Sequence, residues 1–452
     1  MYKNVIKLLA ISFLLFNSSI HVNAEGTLEE AWQNELVYFI EVDRFNNGDP
    51  QNDGAEFNPE DPLAYHGGDF EGIVRKLEYI KKMGFSTIVL SSIFLQEGNN
   101  IAQNIDEHYG TKEELQNLVS QSHKLDINVL LELDLNTGSP FTAEDQAQLI
   151  DSGASWITDV DIDGYFINYP DVISADFWKD FNEGLVDNYL VGTLQEYDDS
   201  KATRYIEAGF DSILNAPFQE AASLAFANVD NNIEPASSVV EEAPENLTNF
   251  LDSHNTVRFT RYSIENNQHP GNRFKIAYSY MYTLPGTPFV YYGSEIAVDG
   301  GEPPLNRPLM NFQSDEELID YMGKLAKVRN NFPPLTKGDY QLLYEKDGMI
   351  IFKRSYQEDS VIVAINNSSK TQKVIIPANE IAEDKKLQGL LTGDVFQEEN
   401  GNYEFIIDRE LAEVYEIQEK TGLNIPFISV FLIVPTLFIG FLILAKRRGQ
   451  KK

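Results

Sequence analysis

A (β/α)8 TIM barrel followed by a C-terminal antiparallel β-sandwich is the α/β fold this sequence predicts, and three observations carry the prediction. Buried-strand runs and helical periodicities alternate over about 300 residues, and eight such units close naturally into a barrel with helices outside. Past Pro333 and Pro334 the rhythm changes to short alternating runs separated by turns, the pattern of a small sandwich. Finally, 452 residues with 42% hydrophobic side chains are enough to bury a large core and to divide it between two domains.

The first strand is expected from Val37 to Phe45, and a loop rich in Asn, Asp and Gly follows it. In that loop Asn47, Asp49, Asn52 and Asp53 crowd amide and carboxylate oxygens together; such residues form turns, and they also suit a hard cation such as calcium. Helix 71–83 and strand 87–94 make the second unit. Helix 112–124 leads to strand 128–135, helix 146–158 to strand 164–169, and helix 175–185 to strand 189–194. Helix 202–208 and strand 212–216 continue the alternation, and a helix at 221–227 precedes an acidic surface loop over 231–245. Strand 247–251, helix 272–283, strand 288–293 and helix 318–332 complete the eight units. In the second domain strands are expected at 340–344, 349–354, 360–366, 372–376 and 414–417.

Both ends point to a membrane. Lys3 and Lys7 precede an apolar run from Leu8 to Phe16, and Val22, Asn23 and Ala24 supply a small-residue cleavage pattern, so residues 1–24 read as a secretory signal peptide. Residues 425–445 are apolar for about 20 positions, the length of one transmembrane helix. Residues 446–452, with Lys446, Arg447 and Arg448, then read as a basic cytoplasmic tail. The domain plan is therefore a signal peptide at 1–24, the barrel at 30–333, the sandwich at 335–418, a membrane helix at 425–445 and the tail. The expected location is the cell membrane, with a single pass and the large domain extracellular.

Charge and cysteine usage exclude whole classes of function. With 70 acidic against 35 basic residues the formal charge is −35, which argues against a nucleic-acid partner because phosphate contacts need clustered Lys and Arg. The chain has no cysteine, so disulfides, thiolate zinc sites and cysteine nucleophiles are excluded.

Five strings, in order, carry a family likeness. They are "VYFIEVDRFNNGDPQNDG" at the first strand, "YHGGDFEGIVRKLEYIKKMGFSTIVLSSIF" through the second and "HYGTKEELQNLVSQSHKLDINVLLELDLN" through the third. "FLDSHNTVRF" stands at the seventh, and "LPGTPFVYYGSE" with "NRPLM" marks the eighth. Together they resemble the α-amylase family, glycoside hydrolase family 13, from about Val37 to about Ile417. The resemblance implies a barrel that binds α-glucans at the C-terminal ends of its strands and cleaves them with retention, using an Asp nucleophile, a Glu acid/base and a second Asp.

At those positions this sequence departs from the family. The fourth-strand motif Gly-Phe-Arg-x-Asp is here Gly164, Tyr165, Phe166, Ile167, Asn168. The fifth-strand Gly-Glu is Gly192 and Thr193, and Asn-His-Asp at the seventh is Ser253, His254, Asn255. On the third strand Glu132 replaces an aspartate, and the motif ends Asn136, Thr137. Retaining hydrolysis needs two carboxyl groups about 5 Å apart, one to attack and one to donate a proton. An amide and a hydroxyl do neither near neutral pH, and loss of the acid alone costs roughly 10²- to 10⁴-fold. Glu132, Asp134 and Asn136 share one face of strand three by its two-residue period, and Asp171 and Glu196 follow strands four and five, so relocated carboxylates are conceivable. Hydrogen-bonded or solvated acids are the plainer reading of them.

Among retained positions, His66 and His254 match family residues that contact sugar and Tyr65 offers an apolar face for stacking on a sugar ring, while Arg258 reads as a loop anchor. Asn47, Asp49, Asn52 and Asp53, with Gly67 and Asp69, match a structural calcium site found in part of the family. The expectation is a membrane-anchored, catalytically inactive relative that binds an α-glucan or a cell-surface protein. The alternative is an active α-glucan hydrolase or transferase working through relocated carboxylates such as Glu132 or Glu196.

Overall fold

The computed structural model describes residues 31–95, 98–99, 102–184, 188–244, 246–314, 316–420 and 432–443. Eight parallel strands close into a barrel in sequence order: β1 Val37–Ile40, β2 Thr87–Leu90, β3 Asn128–Asp134, β4 Gly164–Asn168, β5 Tyr189–Thr193, β6 Ser212–Leu214, β7 Leu247–Phe250 and β8 Thr287–Tyr291. Each ends short of its apolar run because the residues beyond it turn into loops at the mouth. After β1, for example, the Val42 amide donates to Ser91 Oγ at 3.0 Å, and Val42–Phe45 coils into a helical turn where strand was expected. Gly164 opens β4 at φ 146°, where a Cβ would stand 2.0 Å from the Tyr189 carbonyl oxygen; only glycine allows β4 and β5 to pair there.

The barrel interior is filled by rings. Phe39 stacks on His254 with centroids 4.8 Å apart and on edge against Phe166 at 5.7 Å, and Phe166 stacks on Phe289 at 5.8 Å. Each such pair adds about 0.5–1.5 kcal/mol beyond area burial, and together they fill the barrel with side chains.

Helices surround the strands with their own local signals. Thr111 and Thr142 form capping boxes with Glu114 and Asp145 at the starts of helices Lys112–His123 and Ala143–Val160. The helix expected over 71–83 is two, Phe70–Val74 and Leu77–Lys82, the first capped by the Asp69 carboxylate. The acidic stretch expected to be a loop contains helix Glu234–Glu242. It starts with Pro235, buries Ala236 and Ser237, and through Ser237 Oγ holds Glu345 of the second domain at 2.8 Å.

The second domain is the expected antiparallel pair of sheets, with three strands the sequence reading missed. Strands β9 Asp339–Lys346, β10 Met349–Tyr356, β11 Asp359–Asn366, β12 Gln372–Pro377, β13 Lys385–Gly389, β14 Val395–Gln397, β15 Asn402–Ile407 and β16 Leu411–Glu419 arrange as a six-stranded sheet, order β14-β13-β16-β11-β10-β9, and the pair β12-β15. Between them lie Ile351, Ile362, Val374, Tyr403, Phe405 and Tyr415.

Two buried arginines join the domains without any carboxylate. Arg329 donates to the carbonyls of Tyr282, Leu284, Leu335, Gln33 and Gly286 at 2.7–3.3 Å. Arg354, on β10, donates to those of Thr283, Leu335 and Gly338. Burial pushes both guanidinium groups down to about 9.

Among the described residues no helix is long and apolar enough to cross a membrane. Residues 432–443 are helical with exposed apolar side chains such as Leu432, Leu437 and Phe441. The rest of the expected membrane segment and tail, and the expected signal peptide, lie outside the described residues.

Candidate functional site

A polar cavity of about 460 Å³ opens at the C-terminal ends of the barrel strands. It is lined by Asn168 at the end of β4, Glu132 and Asp134 on β3, His254 and Asn255 just past β7, by Glu41, Asp106, Asn136 and Arg307, and by the rings of Phe94, Tyr109 and Tyr169. The two-residue period places Glu132, Asp134 and Asn136 on one face, and all three line the cavity. The expected convergence of Asn168 and Asn255 is present as well. The Asn255 amide donates to Asn168 Oδ1 at 2.9 Å, and Asn168 Nδ2 donates to Asp134 Oδ1 at 3.1 Å. The nucleophile position is thus the middle of a side-chain chain running from the third-acid position to a carboxylate on the neighbouring strand.

Thr193 pairs in register with Asn168 across β4 and β5, and its carbonyl accepts the Tyr169 amide at 2.9 Å, but it does not line the cavity. Glu196 is exposed and lies outside it; its backbone carbonyl accepts from Lys201 Nζ at 2.8 Å. Asp171 is tied up by the Gln195 amide and Lys201 at 2.9 Å each. Glu132 and Asp134 are therefore the relocated carboxylates that the fold brings to the mouth.

Their environments differ although they are two residues apart. Burial alone would raise the Glu132 carboxyl, but His254, the Ser92 amide and Arg307 outweigh it and hold it below the usual carboxylate range. Glu132 Oε2 accepts from Ser92 at 2.9 Å, and Oε1 lies 3.1 Å from His254 Nε2, close enough for attraction yet too poorly aligned for a hydrogen bond. Asp134 is pushed up by burial and then by the Glu132 charge, against the Asn136 amide and the Asn168 side chain.

Tyr169 follows Asn168 at φ 65°, ψ 55°. A bulky residue held in that left-handed region costs about 1–3 kcal/mol, and strain of this kind concentrates at ligand sites. Its hydroxyl is pushed up by burial and by the charges of Asp134 and Glu132, and all three line the cavity. Sequence reasoning passed over Tyr169, Glu41, Asp106 and Arg307. The last stands inside "NRPLM", a string already singled out, so a signal for it existed.

The other sugar-contact expectations fare differently. His254 lines the cavity, whereas Tyr65 and His66 lie outside it. The Tyr65 hydroxyl donates to the His108 carbonyl at 2.6 Å and its ring tilts against His108; His66 is buried with its amide on Asp43 and Nε2 2.9 Å from the Asp61 carbonyl. Both support the loop beside the mouth. Arg258 is fully buried and holds the carbonyls of Asn306 and Tyr292, so it anchors a loop as expected.

The first-loop residues do gather. Asn47 Nδ2 donates to Asp53 Oδ1 at 2.8 Å, and a Cβ on Gly67 would stand 2.4 Å from the same Asn47 nitrogen. Asp69 accepts from the amides of Gly48, Asp49 and Gly72, and Asp49 accepts from Gln51. Among the described residues no group of three or more His, Cys, Asp or Glu is placed to hold a metal. The amide oxygens of Asn47 and Asn52, however, are buried without a partner, which a hard cation would satisfy.

Comparison with known proteins identifies both domains. Residues 39–156 and 145–332 match the family model described as alpha amylase, catalytic domain, and residues 338–415 match alpha-amylase C-terminal domain. The chain is 28% identical to a β/α-amylase of Paenibacillus polymyxa over 83% of its own length, spanning 37% of that protein. It is 27% identical to a cyclomaltodextrinase of Thermoanaerobacter pseudethanolicus over 77% of this chain and 73% of that one. Among solved structures it is similar to an Anoxybacillus α-amylase at 40% identity and TM-score 0.81, covering 87% of this chain and 99% of that one. It is likewise similar to the Geobacillus thermoleovorans α-amylase solved with acarbose, at 36% identity and TM-score 0.79, covering 86% and 99%.

Proposed function

This chain belongs to the α-amylase family of glycoside hydrolases, and from that premise we propose that its barrel mouth binds maltooligosaccharides. The observation that carries the reading is the cavity itself, a polar basin at the barrel mouth lined by aromatic rings together with amides and carboxylates, the mixture that sugar hydroxyls and ring faces require. A solved relative's complex with acarbose supports it. Calorimetric titration with maltotetraose tests it: saturable binding weakened by Asn255→Leu is expected, and no binding at millimolar ligand overturns it.

Turnover is the second reading, and the relatives, all bearing enzyme names, favour it over an inactive protein. Asn168, Thr193 and Asn255 supply no ionisable acid, so hydrolysis or transfer would have to run through other acids of the cavity, of which Glu132 and Asp134, on the strand paired with β4, are our candidates. These are two carboxyl groups whose environments push their titrations apart, as an acid and an anion at one centre require. Release of glucose or maltose from maltotetraose or cyclodextrin, lost in Glu132→Gln, is the expected result; a rate equal to that of the variant removes this reading.

We further propose a structural calcium ion held by Asn47, Asp49, Asn52, Asp53, Gly67 and Asp69, resting on the two partnerless amide oxygens. A melting temperature that chelator leaves unchanged would remove it. Placement at a cell membrane with the barrel outside stays a proposal resting on the sequence pattern of the two ends, as does a protein partner there.

A further inference from the structure

The turn that carries His254 and Asn255 to the cavity is held by a residue that does not line the cavity itself. Asn306, in the loop after β8, is fully buried, and its Nδ2 donates to three carbonyls of that turn: Ser253 at 3.1 Å, His254 at 3.1 Å and Thr256 at 2.7 Å. Its own backbone carbonyl accepts from Arg258 Nε at 2.8 Å, two residues past the turn. The two stretches therefore grip each other. Their approach leaves no room for a side chain at Gly300, where a Cβ would stand 2.7 Å from the Asn306 Cα and 3.1 Å from Arg258 Cγ.

The grip matters because of what the turn presents. The Asn255 side chain reaches Asn168 at 2.9 Å, and His254 Nε2 lies 3.1 Å from Glu132 Oε1 while its ring stacks on Phe39. Bonds inside the turn give it its shape, with the Ser253 amide donating to Thr256 Oγ1 at 2.9 Å and the Asn255 amide to Ser253 Oγ at 3.2 Å. They do not fix where it sits. The next residue of the β8 loop, Arg307, lines the cavity and adds one long bond, 3.5 Å, to the His254 carbonyl. Asn306 supplies the shorter bonds, and a ligand-contacting group is only as well placed as the residues that lock it.

We propose that Asn306 is a positioning residue of the mouth, which sets how His254 and Asn255 meet a bound saccharide without touching the saccharide. The proposal rests on the maltooligosaccharide reading and assigns part of that site's affinity to the loop after β8.

The experiment titrates the full-length chain and its variants with maltotetraose by calorimetry. In parallel, the Cε1–H resonance of the His254 imidazole, assigned by its loss in His254→Ala, is followed by NMR without ligand. Asn306→Leu keeps the size of the side chain and removes the donor, so it should weaken maltotetraose about tenfold. It should also shift the His254 resonance, because the ring would slide on Phe39. Arg329→Met, which loosens the domain junction, should lower the urea midpoint and do neither of these things. Gly300→Ala presses on the Asn306 backbone and keeps its amide; it should weaken the ligand about threefold, and it carries the test if Asn306→Leu does not fold. Unchanged affinity in the variant that folds, or a loss in Arg329→Met equal to that in Asn306→Leu, overturns the proposal and leaves maltooligosaccharide binding in place. If the unaltered chain binds no maltotetraose, that reading falls and the resonance decides alone. A shift in Asn306→Leu that Arg329→Met lacks supports positioning, and an unmoved resonance overturns it.

Discussion

The domain junction and the barrel mouth both bury charge, and they deal with it in opposite ways. At the junction Arg329 and Arg354 are wrapped in backbone carbonyls by nine hydrogen bonds, which leave only Arg329 Nε of the two guanidinium groups without a partner. At the mouth Glu132 Oε1 and both ring nitrogens of His254 are buried without an aligned partner, and Asp134 takes only neutral donors. A satisfied network rigidifies, whereas an unsatisfied one waits for a ligand to complete it. The contrast marks the first region as scaffold and the second as site.

The largest expected effect breaks the scaffold. Arg329→Met removes a donor from five carbonyls, of which Leu335 keeps Arg354, and should cost about 4 kcal/mol, read as a lowered urea midpoint. A loss below about 1 kcal/mol would show that water replaces the guanidinium and that the junction is no better satisfied than the mouth.

His254→Ala should cost about 3 kcal/mol, because it leaves the buried Glu132 carboxylate without the ring whose Nε2 lies 3.1 Å from its Oε1. The acid side of the stability profile sharpens the point. Glu132 has a depressed carboxyl in the folded state, so its contribution is present above the unfolded value near 4.3 and is lost as pH falls through the lower folded value. Removal of His254 should erase that acid-limb contribution, and a profile that keeps it would mean that Ser92 and Arg307 alone hold the anion.

The smallest effect has the reverse sign. Asp134 is raised in the folded protein, so its ionised form opposes folding above that raised value, and the penalty disappears as pH falls below the unfolded value near 3.9. Asp134→Asn should therefore raise the urea midpoint at pH 7, with the gain fading in acid. A destabilised variant would show that Asn168 needs a charged acceptor and that Asp134 belongs with the scaffold.

Much of the fold was legible because its strands are continuous runs of Val, Ile, Leu and Phe that only a doubly covered sheet can bury. Their C-terminal limits were not, since the chain leaves the sheet through side-chain contacts such as Val42 to Ser91 that no periodicity encodes. Helix Glu234–Glu242 was hidden by its acidic composition although Pro235 marks its start. Strand β13, "KKLQG", has almost no apolar content and pairs because β16 offers it an edge. At the site, the departures at Asn168, Thr193 and Asn255 and the shared face of Glu132 and Asp134 could be read directly. The failure of Glu196, Tyr65 and His66 to reach the cavity could not, because it depends on where loops fold back.

Arg354 sits on a sandwich strand yet gives its protons to Thr283 of the barrel and to Leu335 and Gly338 between the two domains, sharing Leu335 with Arg329. A barrel excised at residue 338 would keep every strand of its sheet and still present bare oxygens where that side chain had been. Heating should accordingly produce one calorimetric peak for both halves, so that the sandwich, which contributes no residue to the cavity, would share in setting how much heat the mouth survives.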